Sequence, residues 1–492
     1  MATISVSLSQ STFNTLASVR AGSGSAHLSG NVDLFFQGAY DFSAHHTNAT
    51  LTLTQSTARL DFADAAYSRY DGVAFANPNA TVGAATATSL EEYLPGTARL
   101  TFGGTLNAEY AYDPAAGTAQ IALVGSHYTS ATLQTVFAVT SPSYNAILGN
   151  GLVGLHGAID TDRNGLMSGV LTSITAQADK FATTSMNGSF NVSGDTLRIG
   201  QNLGSSTLSG TLTGLASEYT DGSYLRLTGA AVAATGSTLV DEHLFANGAD
   251  FPGDDVVTIA LPASVGTSWP IATGPGNDMV TLKGGAGALS LNAGTGNDTV
   301  TLTDAGHTVD GGTGTDTAIF AGTRASYVVG TVAGTTTVRA TSATLADTLA
   351  NVERLQFSDV SVALDVNGTA GQTYRIYQAA FNRTPDMGGL GYWISQMDKG
   401  TSLKTVASGF VDSAEFKTLY GAAPTHLEMV NKFYENVLHR AGEAGGVSFW
   451  VGVLDSNAVT PADVLAGFSE SAENQAALVG AISNGISYTH FA

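Results

Sequence analysis

Residues 284–319 divide without remainder into four consecutive nonapeptides, GGAGALSLN, AGTGNDTVT, LTDAGHTVD and GGTGTDTAI. Glycine-rich turns that alternate with very short strands at a fixed period predict a coil in which two nonapeptides complete one full turn. Alternate nonapeptides then stack on the same edge of the coil. The eighth position of each nonapeptide is apolar and is predicted to point into the core: Leu291, Val300, Val309 and Ala318.

Four turns between residues 251 and 320 carry a glycine, an aspartate two residues later, and then a short apolar strand. The two clearest are GTGNDTVTL at 294–302 and GTGTDTAIF at 312–320. Their aspartates, Asp298 and Asp316, lie two nonapeptides apart, so the coil is predicted to stack them on one edge. Stacked turns of this composition bring several oxygen atoms together.

The stacked turns offer ligands for a hard cation. Glycines permit positive φ, which lets backbone carbonyl groups point inward between turns. Carbonyl oxygens and one carboxylate per turn, taken over two turns, supply the six to eight oxygens that calcium prefers. On the opposite edge the equivalent residues are Leu289 and His307, which would not hold such a cation. The predicted ligand positions are Asp255, Gly274, Gly276, Asp278, Gly294, Gly296, Asp298, Gly312, Gly314 and Asp316.

Residues 273–319 resemble the calcium-binding β-roll of the repeats-in-toxin family, whose repeat is G-G-x-G-x-D-x-U-x with U apolar. Residues 248–259 resemble it in a diverged form, and Thr273 and Ala293 replace the first glycine of the repeat. The resemblance implies about two or three calcium ions, and it implies that calcium binding and folding are coupled. A glycine-rich turn series without metal is the alternative interpretation.

The resemblance continues through residues 312–359, which end in TLANVERLQFSD and look like the end of many such arrays. Proteins with these arrays leave Gram-negative bacteria through the type I secretion machinery, without a cleaved N-terminal signal. The resemblance therefore implies a secreted, extracellular or cell-surface protein. Residues 441–492 contain no lysine or arginine and are compatible with an uncleaved export region. The N-terminus lacks the basic patch and apolar core of a cleavable signal.

Charge and composition narrow the class of protein further. The chain has 40 acidic and 19 basic residues and a formal net charge of −21, which repels nucleic acid and attracts divalent cations. It has no cysteine, so disulfides and thiolate metal sites are excluded. No apolar run approaches the roughly 18 residues that span a bilayer, so no membrane insertion is expected.

Composition and periodicity predict a multidomain, mainly β protein. Period-two alternation before residue 245 indicates many short strands, in a solenoid or a sandwich. Two similar segments, Met167–Ser173 and Leu208–Gly214, favour a repeated β architecture. Apolar residues at helical spacing begin near residue 371. The predicted domains are a β-rich domain at 1–245, a calcium β-roll at 246–322, a β joining block at 323–370, and an all-α domain with the export region at 371–492.

The helical region contains an internal duplication, in which Ala380–Trp393 matches Val437–Trp450. It resembles a helical domain of unknown function that often follows such arrays, including in surface-layer proteins. Each copy carries an arginine and, three residues on, an acidic residue, which are Arg383 and Asp386 in the first copy. A structural ion pair is favoured over a catalytic or ligand pair, because the pair occurs twice in equivalent places.

Familiar catalytic motifs are missing. The sequence has neither HExxH nor GxSxG, which argues against the zinc proteases and lipases that carry such repeats. Asp61 and Asp64 are scattered carboxylates whose spacing does not select them as a glycosidase pair. Asp160, Asp162 and Asn164 form half of an EF-hand loop. Position 12 of that loop is Leu171 rather than glutamate, so an acidic turn is favoured over an extra calcium ion there.

These observations predict a non-enzymatic, exported, calcium-binding structural protein. We expect it to self-assemble into a surface layer or extracellular matrix, with itself as the main partner. Calcium could also bridge it to lipopolysaccharide or glycan. Two alternatives stay open, a calcium-stabilised adhesin that binds glycan or a surface, and a secreted polysaccharide-active enzyme.

Overall fold

The computed structural model describes residues 3–7, 49–77, 79–95, 98–123, 126–136, 150–161, 167–178, 182–193, 207–235, 251–261, 269–284 and 289–491. The chain forms two compact units. The first comprises residues 1–275 and 283–288, and the second comprises residues 276–282 and 289–492. The first unit is built from strands, and helices gather at the C-terminal end of the second. This layout confirms the predicted multidomain, mainly β organisation with a helical C-terminal part.

Sixteen strands are described in the first unit, and most pair antiparallel with the strand that follows them in sequence. β1 closes the series by pairing antiparallel with β14 and parallel with β15. The strands are β1 Thr3–Ser7, β2 Ala49–Leu53, β3 Thr57–Asp61, β4 Tyr67–Asp71, β5 Ala74–Phe75, β6 Val82–Leu94, β7 Ala98–Asp113, β8 Thr118–Leu123, β9 His127–Val136, β10 Asn150–Thr161, β11 Met167–Ala178, β12 Ala182–Ser193, β13 Thr207–Tyr219, β14 Tyr224–Thr235, β15 Val256–Ala260 and β16 Trp269–Ala272.

The solenoid alternative is wrong for these strands, because β10 to β14 form an antiparallel sheet rather than stacked parallel coils. The two similar segments mark bulges in this sheet. In β11 the register shifts just after Leu171, and in β13 it shifts just after Leu212. A bulge inserts one residue and changes the alternation of faces. The next buried side chains, Ile174 and Leu215, therefore lie three residues further on instead of two.

The second unit begins with a coil of short parallel strands. One ladder is β17–β19–β21–β25, and the other is β18–β20–β24. The apolar eighth positions of the nonapeptides are buried, as predicted. The strands are β17 Met279–Lys283, whose last residue belongs to the first unit, β18 Leu289–Asn292, β19 Thr299–Leu302, β20 Thr308–Asp310, β21 Thr317–Phe320, β22 Tyr327–Val332, β23 Thr335–Ala340, β24 Asp347–Ala350, β25 Arg354–Gln356, β26 Ser361–Ala363 and β27 Ile486–Tyr488.

Antiparallel strands extend both ladders. β23 pairs with β24, and β22 pairs with β23 to form the outermost hairpin of that sheet. β26 and then β27 continue the other ladder from β25. The strand that contains Ile486 therefore attaches the end of the chain to the coil. Arg354, at the start of β25, is buried and forms ion pairs with Asp365 and Asp398, so it also ties the coil to the helices.

Eight α-helices are described in the second unit, and they form two copies of one arrangement. The last three helices of each copy correspond at an offset of 57 or 58 residues. Trp393 packs beside Gly409 in the first copy, and Trp450 packs beside Gly467 in the second. The helices are α1 Thr369–Phe381, α2 Met387–Asp398, α3 Leu403–Val411, α4 Ala414–Tyr420, α5 His426–Val437, α6 Ala444–Asp455, α7 Pro461–Ser469 and α8 Ala472–Ile482.

The duplicated arginines support the structural interpretation. Arg383 donates to both carboxylate oxygens of Glu415, at 2.7 and 3.1 Å, and lies 3.6 Å from Asp386. In the second copy, Arg440 makes the same two-pronged contact with Glu473, at 2.8 and 2.9 Å. A planar guanidinium matches a carboxylate in this way and fixes the geometry of the loop that carries it.

Candidate metal centre

A column of carboxylates runs along one edge of the coil. The register of β17, β19, β21 and β25 aligns the residues that precede each strand, namely Asp278, Asp298, Asp316 and Glu353. The backbone N–H of Asp278 donates to Oδ1 of Asp298, and that of Asp298 donates to Oδ1 of Asp316, both at 2.8 Å. The N–H of Asp316 donates to Oε2 of Glu353 at 2.9 Å. The carboxylates of Asp298, Asp316 and Glu353 are therefore each fixed by the turn before them.

The second carboxylate oxygen of the aspartates in this column differs from the first in its hydrogen bonding. Oδ2 of Asp298 and Oδ2 of Asp316 are buried and accept no hydrogen bond. The side chains that carry them belong to residues that are only 1% exposed. An ionised oxygen without water or a partner is costly, unless a cation supplies the missing interaction. Asp298 and Asp316 therefore fit a bound hard cation, which they would hold together with backbone carbonyl oxygens of their turns.

The burial of these carboxyl groups also changes their pKa values. Burial raises the pKa of Asp298 to about 6, and the nearby Asp278 carboxylate acts in the same direction. Burial also raises the pKa of Asp316 to about 7, with further contributions from Asp298, Glu353 and Asp310. Without a cation, the column holds protons at a pH where exposed aspartates have lost them.

Glycine is required where one turn rests on the next. A Cβ atom added to Gly296 would lie 1.8 Å from the carbonyl oxygen of Gly276, and one added to Gly314 would lie 1.8 Å from that of Gly296. Both residues also have positive φ, at 126° and 141°. The close approach therefore stacks successive turns directly on one another. The positive φ values agree with the expectation that these turns need glycine, and the inward direction of the carbonyl groups stays a prediction.

The other predicted positions lie in several different parts of the chain. Gly294 and Gly312 stack like the other turn glycines, since a Cβ on Gly312 would lie 1.9 Å from the Gly294 carbonyl oxygen. Asp255 and Gly274 belong to the first unit, where Asp255 is buried. At the half EF-hand, the Asp160 carboxylate lies 2.6 Å from Nδ1 of His127. Asp162 and Asn164 lie outside the described residues.

Sequence reasoning missed three residues whose side chains link the stacked turns. Glu353 ends it in the place of a further aspartate, and the signal was the short strand that follows this residue. Oδ1 of Asn277 accepts the N–H of Asn297 at 2.7 Å, and Oδ1 of Asn297 accepts the N–H of Thr315 at 2.8 Å. The two asparagines form a second column, and the repeated Gly-Asn-Asp triplet was the signal for it.

On the opposite edge of the coil, the equivalent positions are Leu289 and His307, and both are buried. The sequence did not show that the next turn on this edge contributes Asp347, whose Oδ1 accepts the N–H groups of Gly306 and His307 at 2.9 Å. The carboxylate therefore caps backbone donors on this edge.

Side chains alone do not complete a metal site. Within the parts of the chain that the structure describes, no group of three or more histidine, aspartate or glutamate side chains is arranged to hold a metal ion. A cation at the column would depend on backbone oxygens for most of its ligands. Calcium accepts such ligands, because carbonyl oxygens are regular members of its coordination shell.

Comparison with known proteins identifies only the helical part. A family model described as "Domain of unknown function (DUF4214)" matches residues 373–420 and 407–478. These matches cover the two copies of the helical arrangement, which agrees with the predicted resemblance. No repeats-in-toxin family model matches the glycine-rich turns. No curated protein matches the chain. Among the described residues, no helix is long and apolar enough to cross a membrane.

We expect Asp298→Asn to weaken calcium binding by at least about tenfold, the loss that follows even when an outer partner of a metal ligand is removed. The substitution keeps the size of the side chain but removes the charge of the buried oxygen. Isothermal titration calorimetry measures the effect. Asp412→Asn is the matched control, because it removes one negative charge from an exposed residue of the same unit. Equal calcium affinity in the two variants would contradict the assignment.

In calcium-free buffer, the free energy of unfolding should fall as the pH rises from about 4 to about 8. The folded-state pKa values of Asp298 and Asp316, about 6 and about 7, lie above the unfolded value. The folded state therefore binds more protons in this window, and its stabilisation is lost as the pH passes through the folded pKa values. Denaturant titrations monitored by circular dichroism at several pH values test this. Saturating calcium should make the free energy of unfolding depend less on pH. A calcium-free protein whose stability rises between pH 4 and pH 8 would refute this prediction.

Proposed function

We propose that this chain is an exported, calcium-binding structural protein that assembles with copies of itself at the cell surface or in the extracellular matrix. The observation that carries the proposal is the buried column, in which Oδ2 of Asp298 and Oδ2 of Asp316 have no partner. The glycine-rich turns and their resemblance to the repeats-in-toxin β-roll support calcium as the cation, and about two or three ions fit the number of turns.

Calcium availability would decide when the coil folds. Cytosolic calcium is scarce, so the column keeps its electrostatic penalty there and the segment stays unfolded and ready for export. Outside the cell, a cation that binds the folded turns and not the unfolded chain stabilises the fold by mass action. Export before folding is compatible with passage through the type I secretion machinery, since a folded coil would obstruct export.

Assembly would depend on calcium for a second reason. A net charge of −21 makes copies of this chain repel each other in solution. Calcium bound in the coil lowers this charge, and calcium between subunits would bridge carboxylates of neighbouring copies or of lipopolysaccharide. The helical domain supports a surface role only through its resemblance to domains that follow such arrays in surface-layer proteins.

One observation favours the adhesin alternative. On one face of β3, β4 and β6, the rings of the half-buried Tyr67 and Tyr93 lie with their centroids 5.2 Å apart. Exposed aromatic rings are common in glycan-binding surfaces, because a ring face packs against the apolar face of a sugar. Here the guanidinium of Arg59 lies 3.9 Å from the centroid of Tyr67, so it covers part of this platform. The alternative stays second for this reason.

The enzyme alternative gains less support. Asp61 accepts from Nε of Arg59 at 2.7 Å, and Asp64 accepts from the N–H of Ala66 at 3.1 Å, so both have local structural roles. Burial raises the pKa of Glu92, on β6, to about 8. A glycosidase needs two carboxyl groups that flank the scissile bond, and this single carboxyl does not provide them.

Purified protein should grow reversibly into sheets or filaments when calcium is added, and it should return to smaller species when a chelator is added. Calcium closes the coil and reduces the charge of each copy, so attraction between copies can act. Light scattering during the titration and electron microscopy at its end points measure the change. Asp298→Ala is expected to weaken assembly, and Asp412→Asn, the control, is not. A folded monomer at every calcium concentration would refute self-assembly and would favour the adhesin or enzyme.

A further inference from the structure

The hairpin of β22 and β23 presents an open strand edge. The N–H of Thr341 donates to the carbonyl oxygen of Ser326 at 2.9 Å. This hydrogen bond determines which residues of β22 direct their backbone N–H and C=O groups towards β23. Backbone groups alternate in direction along a strand, so those of Val329 and Thr331 point away from β23. Among the described residues, β22 pairs only with β23. The open edge stops short of Tyr327, because the carbonyl oxygen of Tyr327 already accepts a hydrogen bond from Nη1 of Arg324 at 2.9 Å.

This edge lacks the protection that exposed edge strands normally carry. Native proteins discourage edge pairing with lysine, proline, bulges or inward-pointing charges. β22 has the sequence YVVGTV, which contains no charge and no proline, and its pairing with β23 has no bulge. Val328 is 51% exposed and Val332 is 78% exposed, and both lie on the same face of the strand. The strand therefore offers unpaired backbone groups and an apolar face together.

We propose that β22 pairs antiparallel with β22 of a second copy of this chain, across a two-fold axis at Gly330. In this register, Val329 faces Thr331 of the second copy, and their outward N–H and C=O groups satisfy each other. Val328 faces Val332 of the second copy on the exposed face, so apolar side chains meet as cross-strand neighbours. Gly330 faces Gly330 of the second copy, and because glycine has no side chain, nothing clashes at the two-fold axis.

Charge favours a second copy over another partner at this edge. Copies of a chain with net charge −21 repel over most of their surfaces. The hairpin from Tyr327 to Ala340 contains no acidic residue, and its one charged side chain is the cation Arg339. It is therefore a surface where two copies approach without opposing like charges of the dominant sign.

The pairing depends on the candidate metal centre. β22 rests on β23, β23 pairs with β24, and β24 pairs with β20 of the coil. If the coil closes only with calcium, the edge is presented only with calcium. Six residues a side bury far less than the roughly 1,200 Å² of a standard interface, so this contact is weak alone and is suited to a reversible assembly with several contacts per copy. The inference thus rests on the proposed function for its calcium dependence.

A single introduced cysteine tests the register. Gly330→Cys places two cysteines opposite each other in a non-hydrogen-bonded pair, with Cα atoms about 4.5 Å apart, which is within disulfide range. A Cβ at this position meets only Oγ1 of Thr337, at 3.7 Å, so the variant should fold. The native chain has no cysteine, so each disulfide must join two copies. Thr337→Cys is the control, because three strand spacings of about 4.8 Å separate its equivalents.

In calcium and a mild oxidant, we expect Gly330→Cys to run mostly as a covalent dimer on a non-reducing gel, and Thr337→Cys to stay monomeric. Equal cross-linking of both variants, or none, while the native protein assembles in calcium, would overturn the pairing and leave the proposed function standing. Cross-linking of Gly330→Cys without larger calcium-dependent assemblies would support the pairing and refute the self-assembling layer.

A second comparison does not depend on disulfide chemistry. Val328→Lys adds a charge to the proposed contact, and Val479→Lys adds the same charge to a valine of α8 that is 55% exposed. Lysine on an edge strand opposes strand pairing. We expect the first variant to lose most calcium-dependent assembly and the second to keep it, with both showing native circular dichroism. Equal assembly of the two variants would overturn the pairing.

Discussion

Carboxylates stacked along the coil repel one another and are cut off from water, and much of the second unit is arranged around that stack. One oxygen of Asp298 and one of Asp316 are held by the backbone N–H of the preceding turn, while the other oxygen has no partner. The turns approach so closely that Gly296 and Gly314 leave no room for a side chain. An arrangement that concentrates oxygens and excludes water without neutralising them is stable when a cation is bound there.

The coil supports the elements on either side of it. The ladder that contains β20 continues through β24 and β23 to the open strand β22. The ladder that contains β21 continues through β25 and β26 to β27. The buried Arg354 links β25 to Asp398 of α2. Closure of the turns therefore has consequences at both ends of the unit. The edge that we propose for assembly and the pairing of β27 both connect through neighbouring strands to the same stack of turns.

Local periodicity predicted the coil well and the first unit poorly, for a physical reason. In the coil, each nonapeptide contacts the units next to it in a fixed register, so the positions of Leu291, Val300, Val309 and Ala318 follow from counting. In the first unit, bulges after Leu171 and Leu212 change which side chains face inward, and long-range pairing decides the topology. The repeat seen there marks equivalent bulges in one sheet. Glu353 and Asp347 escaped notice because they lie outside the nonapeptides and reach the coil only through strand pairing.

Hydrogen–deuterium exchange, followed by mass spectrometry with and without calcium, distinguishes a coil that needs a cation from one that is stable alone. The amides of residues 289–320 lie in the coil, and those of α1 to α8 provide an internal reference in the same molecule. If a cation stabilises the turns, calcium should strongly slow exchange across residues 289–320 and in β22 to β25, while exchange in the helices should change much less. Coil amides that exchange equally slowly in calcium and in chelator would show instead that the turns are stable without a cation.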